Sequence, residues 1–311
     1  MTVNAVATAP PRRAGAHVPE TGLKRSRSNW VVITLFLLPA LAVFTMFVVL
    51  PMLEAAWYSF YSWNGYNRPT NFIGLDNYWE AFRTPAFRLA LLNVFVIITG
   101  SLLLQIPLGL IMALLLADRI KGALFFRLVF FLPYVLAQTA TGLLFTFIYD
   151  GQYGLLRPIF ELFGAKAPFV LASPSTTMPA ILFVIVWKYF GFHMMLLIAA
   201  LQGIDGSLIE AATLDGAGRW QLARHIVLPL LKPTIKLCGF FAVLGGLQFF
   251  DLIMPLTGGG PDNASQTLVT YLYNYGIVRM RIGYGSAVGV ILFLLCIAFA
   301  LSYKRWVMRD E

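Results

Sequence analysis

Charge is what this chain has least of. Only 12% of its 311 residues are Asp, Glu, Lys or Arg, against roughly 25% in soluble domains, while 59% are hydrophobic. The deficit falls in long apolar runs, which excludes an ordinary soluble domain and indicates an integral membrane protein. Cysteine is nearly absent. Cys238 and Cys296 lie far apart in apolar runs, so no disulfide framework or cysteine zinc site is expected, and both read as small buried hydrophobes. The histidines, His17, His193 and His225, are dispersed, and Asp150, Glu161, Asp205 and Glu210 form no paired acid set. Neither a metal centre nor an acid–base enzyme follows. No G-x-x-x-x-G-K-[ST] phosphate loop occurs; Gly258–Gly260 runs into Pro261-Asp262, without the lysine and helix that a phosphate cradle needs. The chain is not expected to hydrolyse ATP itself. Its net charge of +9 does not indicate nucleic acid, because the basic residues flank apolar runs and do not interleave with exposed aromatics. The expected surroundings are a lipid bilayer.

What is present is a series of apolar runs. Each exceeds the approximately 20 residues a spanning helix needs. They lie near 30–53, 89–116, 124–149, 178–201, 235–256 and 284–303. The fold expected is an all-α membrane protein of six transmembrane helices. The first run is too long for a signal-peptide core and should stay as a span. Pro39, Pro51, Pro107 and Pro133 fall within or at the ends of spans, where neighbours can satisfy the carbonyls they free. Residues 1–29 read as a disordered basic tail, 30–303 as the membrane domain, and 304–311 as a C-terminal tail. If the N-terminus is cytoplasmic, fifteen basic residues flank the spans inside, among them Arg12, Arg25, Arg119, Arg224 and Lys304, against seven outside. The positive-inside rule then puts both termini in the cytoplasm. Outside, Asp76 is a plausible N-cap for a short helix.

The polar segment at about 202–234 lies between two apolar runs, on the cytoplasmic side. Asp205-Gly206 marks a turn. Ser207 and Glu210 have the spacing of a capping box, so a helix is expected over Leu208–Leu214. Asp215-Gly216 should end it. A second helix should run from about Arg219 to Pro229, which cannot continue it. The result would be a helix–turn–helix projecting from the membrane. Glu210 either caps its own helix or meets a basic residue on a partner, and Ala211 and Ala212 let another surface approach closely.

Glu210-Ala211-Ala212, then Gly216, then Ile226-x-Leu228-Pro229 closely resembles the EAA loop of permease subunits of ATP-binding-cassette (ABC) importers. Phe72–Tyr78 (FIGLDNY), Trp187–Phe192 (WKYFGF) and Phe250–Pro261 (FDLI…LTGGGP) resemble the maltose and oligosaccharide branch of that family. The similarity covers about residues 30–303. It implies a coupling helix built on Glu210, Ala211, Ala212, Leu214, Asp215 and Gly216. The implied partners are a second permease subunit, two ATPase subunits that carry ATP and magnesium, and an extracytoplasmic sugar-binding protein. The implied place is a bacterial-type cytoplasmic (inner) membrane. The chain itself would hold no cofactor and no metal.

Ionisable groups inside spans cost roughly 2.5–3.5 kcal/mol on insertion scales and so attract a functional reading. There are two, Lys188 and Asp251. They could pair with each other, or line a cavity. The resemblance places sugar contacts in stretches that here hold Lys188, Tyr189, Phe192, Gly246, Gln248 and Phe249, with Asp251 beside them. Residue types depart from the maltose pattern. A cavity lysine would suit an anionic cargo, such as a glycerol phosphate ester, as the alternative to a neutral sugar. An ion-coupled secondary transporter using Asp251 is the further alternative. His193, Asn93, Gln105, Gln138, Thr139 and Thr141 read as packing or interhelical hydrogen bonds.

Overall fold

The structure is a computed structural model that describes residues 27–117 and 121–307. Regular structure among these residues is helical, apart from one isolated β-bridge between Tyr61 and Phe72. The expected tail lies outside the described residues as far as position 26, as do Arg119 and residues 308–311.

The chain divides into two compact units, the first ending at Pro51. The first holds α1 (Arg27–Phe44), so the last three residues of the expected tail are helical, and a π-helical turn at Thr45–Val49. α2 (Leu50–Tyr58) follows. Thr34–Tyr58 is long and apolar enough to span a membrane, and Leu35, Phe36, Phe44 and Phe47 are all exposed, as side chains that face lipid would be.

In the second unit α3 (Asp76–Arg83) is a short helix. Asp76 is its first residue and not its cap. The cap position is Leu75, without a side-chain bond, and Asp76 acts through its charge at the positive helix end. α4 (Pro85–Gly100), a π-helical turn and α5 (Ile106–Ala117) make one candidate span. α6 (Ala123–Val135) and α7 (Gln138–Ile148) follow, then the short α8 (Leu156–Leu162) and the long α9 (Pro174–Gln202). α10 (Gly206–Leu214) precedes α11 (Arg219–Leu222), a π-helical turn at Ala223–Val227 and α12 (Leu228–Gln248). α13 (Ile253–Thr257), α14 (Leu268–Tyr271), a π-helical turn at Leu272–Ile277 and α15 (Ile282–Trp306) complete the chain.

Two expectations change. The run at 124–149 is not one straight helix: α6 and α7 meet at 97°, and six candidate spans result if the bent pair counts as one. Leu136 and Ala137 are extended at the bend. Pro229, expected to end a helix, instead sits in the first turn of α12, and Arg219–Gln248 is one candidate span. The π-helical turn just before it shifts the hydrogen-bond register where the proline lacks a donor, so helix continues.

The core forms three apolar clusters around α9 and α12. Phe87, Val94, Tyr271 and Tyr284 join α4, α14 and α15. Ile97, Phe145, Ile181, Ile185 and Leu252 join α4, α7 and α9. Ala113, Met194, Leu197, Cys238 and Ala242 join α5, α9 and α12. Asn77 of α3 donates to the carbonyls of Ser59 and Tyr61 at 2.8 and 3.0 Å. Asn93 donates to those of Ala264 and Gln266 at 3.0 and 2.9 Å; these are carbonyls of the loop before α14, so Asn93 ties a loop to α4 and does not make the expected interhelical bond.

Close helix approach needs small residues where backbones touch. A Cβ on Gly191 of α9 would overlap the carbonyl of Phe130 on α6. Gly191→Val should therefore push α6 off α9 and cost about 1–3 kcal/mol by overpacking. A lowered thermal midpoint in detergent would show it; an unchanged midpoint would mean that α6 shifts freely.

Candidate functional site

Both helix breaks open onto one cavity. The first lies between α6 and α7, the second at Phe249–Leu252 between α12 and α13. Irregular backbone in a membrane is tolerated where it is buried in protein or lines a cavity. Here it borders a space of about 450 Å³, within the range of small-molecule pockets. Ser101 and Gln105 line it from the π-helical turn between α4 and α5. Tyr134 and Gln138 come from the two sides of the first break, Tyr189, Phe192 and His193 from α9, and Phe241, Leu244, Gly245, Gln248, Phe249 and Asp251 from α12 and the second break.

The aromatic wall is ordered. Tyr134 stacks on Phe192 with centroids 4.7 Å apart and planes 17° from parallel. Tyr189 meets Tyr134 and Phe249 edge-on. Such a wall offers apolar faces with polar tips. Gln105 is fixed by its amide nitrogen, which donates to the Ile185 carbonyl at 3.1 Å. Its oxygen therefore faces His193, whose Nε2–H donates to it at 3.1 Å. The neutral ring then leaves Nδ1 as an acceptor. His193 is only 2% exposed, and Nδ1 has no partner among the described residues. Gln105 and His193 thus do form the interhelical bond expected of them, and they also line the cavity.

Lys188 explains the first break. Its ammonium donates to the carbonyls of Pro133 and Leu136, at 3.1 and 2.5 Å, and to Thr141 Oγ1 at 3.3 Å. An ammonium has three protons, and all three are used. The carbonyls at the end of α6 lack intrahelical partners, and a cation there also meets the negative end of the helix dipole. Lys188 is 1% exposed. No ion pair joins it to Asp251 among the described residues, where the ion pairs are Arg157–Glu161 and Arg281–Glu80. The suggested Lys188–Asp251 pair is therefore absent. The second break is held by Thr267 Oγ1, which donates to the Phe249 carbonyl at 2.8 Å. Asp251 is exposed in that break.

Of the residues singled out for cargo, Tyr189, Phe192, Gln248, Phe249 and Asp251 meet at the cavity. Gly246 does not. It is buried against α4, where an added Cβ would come within 2.6 Å of Ile98, so it serves helix packing. Tyr134, Ser101 and Phe241 were not singled out; only Pro133, beside Tyr134, marked the region.

The segment after α9 is a second candidate site. α10 is capped by Asp205, whose carboxylate accepts from Ser207 N at 3.0 Å, and this bond holds its pKa below the usual carboxylate value. Ser207 and Glu210 do not form the expected capping box. At the other end Gly216 N reaches the Thr213 carbonyl and Ala217 N the Ala212 carbonyl, both at 3.0 Å. This is a Schellman ending, which requires the left-handed residue that Gly216 supplies at φ +86°. Gln221 Oε1 accepts from Gly218 N at 2.8 Å and opens α11. Glu210, Ala211, Leu214, Asp215 and Gly216 are exposed, with Ala212 half-buried. Glu210 has no ion-pair partner among the described residues. Leu214 is 89% exposed and Trp220, which was not singled out, 73%.

Residues 105–309 match the family described as "Binding-protein-dependent transport system inner membrane component". The chain belongs to this family. Every residue of α10 and α11 and all but Ser101 of the cavity lining lie within the match. The chain is 38% identical over 282 residues to the probable ABC transporter permease protein YurN of Bacillus subtilis, covering 89% of this chain and 96% of that protein. It is 33% identical over 278 residues to the diacetylchitobiose uptake system permease protein NgcF of Streptomyces coelicolor, covering 85% and 79%. A chain from the crystal structure of a bacterial ABC transporter involved in the import of the acidic polysaccharide alginate superposes with a TM-score of 0.79 at 24% identity, over 91% of this chain and 96% of that one. The family member described here is thus an inner membrane component of a binding-protein-dependent transport system, and its fold is that of ABC transporter membrane subunits.

Proposed function

We propose that this chain is the permease subunit of an ATP-driven importer that carries a sugar into the cytoplasm. The observation that supports this best is the meeting of two helix breaks at one cavity walled by Tyr134, Tyr189, Phe192 and Phe249, with Gln138, Gln248 and Asp251 beside them. Aromatic faces suit pyranose rings, and amide and carboxylate groups suit hydroxyls. The exposed segment from α10 to Trp220 supplies what a cavity alone does not, a surface on which a motor protein can dock.

In this reading both termini and α10 are cytoplasmic. Two ATPase subunits hold ATP and magnesium, and a second permease subunit completes the pathway. A sugar-binding protein delivers cargo at the outer loops. ATPase closure moves α10, and the spans rock between outward and inward access. The sugar leaves unmodified.

The test is uptake by cells or vesicles that hold the complete system. Loss of the ATPase should abolish uptake, and an uncoupler that leaves ATP intact should not. The reverse pattern would favour an ion-coupled carrier.

A further inference from the structure

If the cavity passes a sugar, its charge decides which sugars. One relative is named for diacetylchitobiose and a structural neighbour for an acidic polysaccharide. We propose that Asp251 makes the cavity select by charge: its carboxylate accepts hydrogens from neutral or amino sugars and excludes sugars that carry a carboxylate, sulfonate or phosphate. This rests on the sugar reading above.

Asp251 is the only charged residue among those that line the cavity. The lysine that could have offset it is committed elsewhere, with all three protons on Pro133, Leu136 and Thr141. His193 gives its one proton to Gln105, so it offers the cavity an acceptor and no cation. No hydrogen bond or ion pair engages the Asp251 carboxylate among the described residues. Its backbone is pinned on both sides, by the bond from Thr267 to the Phe249 carbonyl and by the full burial of Leu252 and Ile253. The residue is therefore held at the break, and its side chain lines the cavity. An anionic cargo is therefore repelled and an ammonium attracted, and a hydroxyl is bound by hydrogen bonds to an ionised acceptor.

The test uses the assembled transporter, purified with its ATPases and without its binding protein, so that only the cavity discriminates. Saturation-transfer NMR follows three probes of equal length: maltotriose, chitosan trimer (amino) and trigalacturonate (anionic). Wild type should bind maltotriose and the amino trimer at least 10-fold better than trigalacturonate. Asp251→Asn should narrow the gap to trigalacturonate to 3-fold or less, by strengthening trigalacturonate and by weakening maltotriose as the ionised acceptor is lost, and Asp251→Glu should keep the gap. Raising salt should narrow the gap in wild type and not in Asp251→Asn. If trigalacturonate binds wild type as well as maltotriose does, or if Asp251→Asn leaves the ratio unchanged, the charge inference fails while the sugar reading stands. If none of the probes binds wild type, the sugar reading itself fails and the inference goes with it.

Discussion

Replacing Lys188 by Met should lower both the thermal midpoint and the folded yield of the protein in detergent, and abolish uptake as a consequence. The methionine keeps most of the stem length and removes the ammonium. Three oxygens, the carbonyls of Pro133 and Leu136 and the Thr141 hydroxyl, lose their shared donor. A buried polar group left unsatisfied costs about 1–3 kcal/mol. Even partial relaxation of the three leaves a penalty that is large beside the stability of a typical domain, about 5–15 kcal/mol. The damage is local to the elbow between α6 and α7, which carries Tyr134 and Gln138 into the cavity. Lys188→Arg should recover part of the midpoint, because it restores donors but not the compact shape of an ammonium. A Lys188→Met protein with a wild-type midpoint and a selective loss of uptake would contradict this account and return Lys188 to the role of a cargo contact.

That elbow also shows where sequence reasoning stops. Residues 124–149 read as one apolar run, and apolar length is a local property. The bend depends on a donor more than 40 residues away on α9, and only Pro133 hinted at it. Pro229 failed in the opposite direction. The local rule predicts a stop, but a π-helical turn absorbs the missing donor and the helix continues into its span. The number and placement of spans were legible because a bilayer demands about 20 apolar residues whatever the tertiary contacts. The turn between α10 and α11 was legible for a similar reason, since it depends on Gly216 and on neighbours within a few residues. In the cavity, Tyr189, Phe192, Gln248, Phe249 and Asp251 were recognisable from the family pattern. Tyr134, Ser101 and Phe241 were not, because a side chain's facing on an all-apolar helix leaves no periodic trace. Gly246, singled out with them, packs against Ile98 in this chain.

Leu214→Ala should weaken docking of the ATPase by about 10- to 100-fold and leave the permease itself folded. The side chain is 89% exposed at the end of α10, so the isolated subunit loses almost no packing when it is cut back. Full burial of a leucine in a partner's cleft contributes about 1.5–3 kcal/mol, and each 1.4 kcal/mol is about tenfold in affinity. Trp220, also exposed, should behave in the same direction if the two side chains enter one cleft. Glu210→Lys tests the polar part of the same contact. It adds a positive charge where no neighbouring residue pairs with the carboxylate, and should cost at least as much if the partner presents a basic group there. The measurement is recovery of ATPase with tagged permease from native membranes, beside the thermal midpoint of each variant. Lost recovery at an unchanged midpoint assigns Leu214 and Glu210 to the docking surface. Undiminished recovery in both variants would remove α10 from the contact, and with it the means by which ATP could act on the cavity.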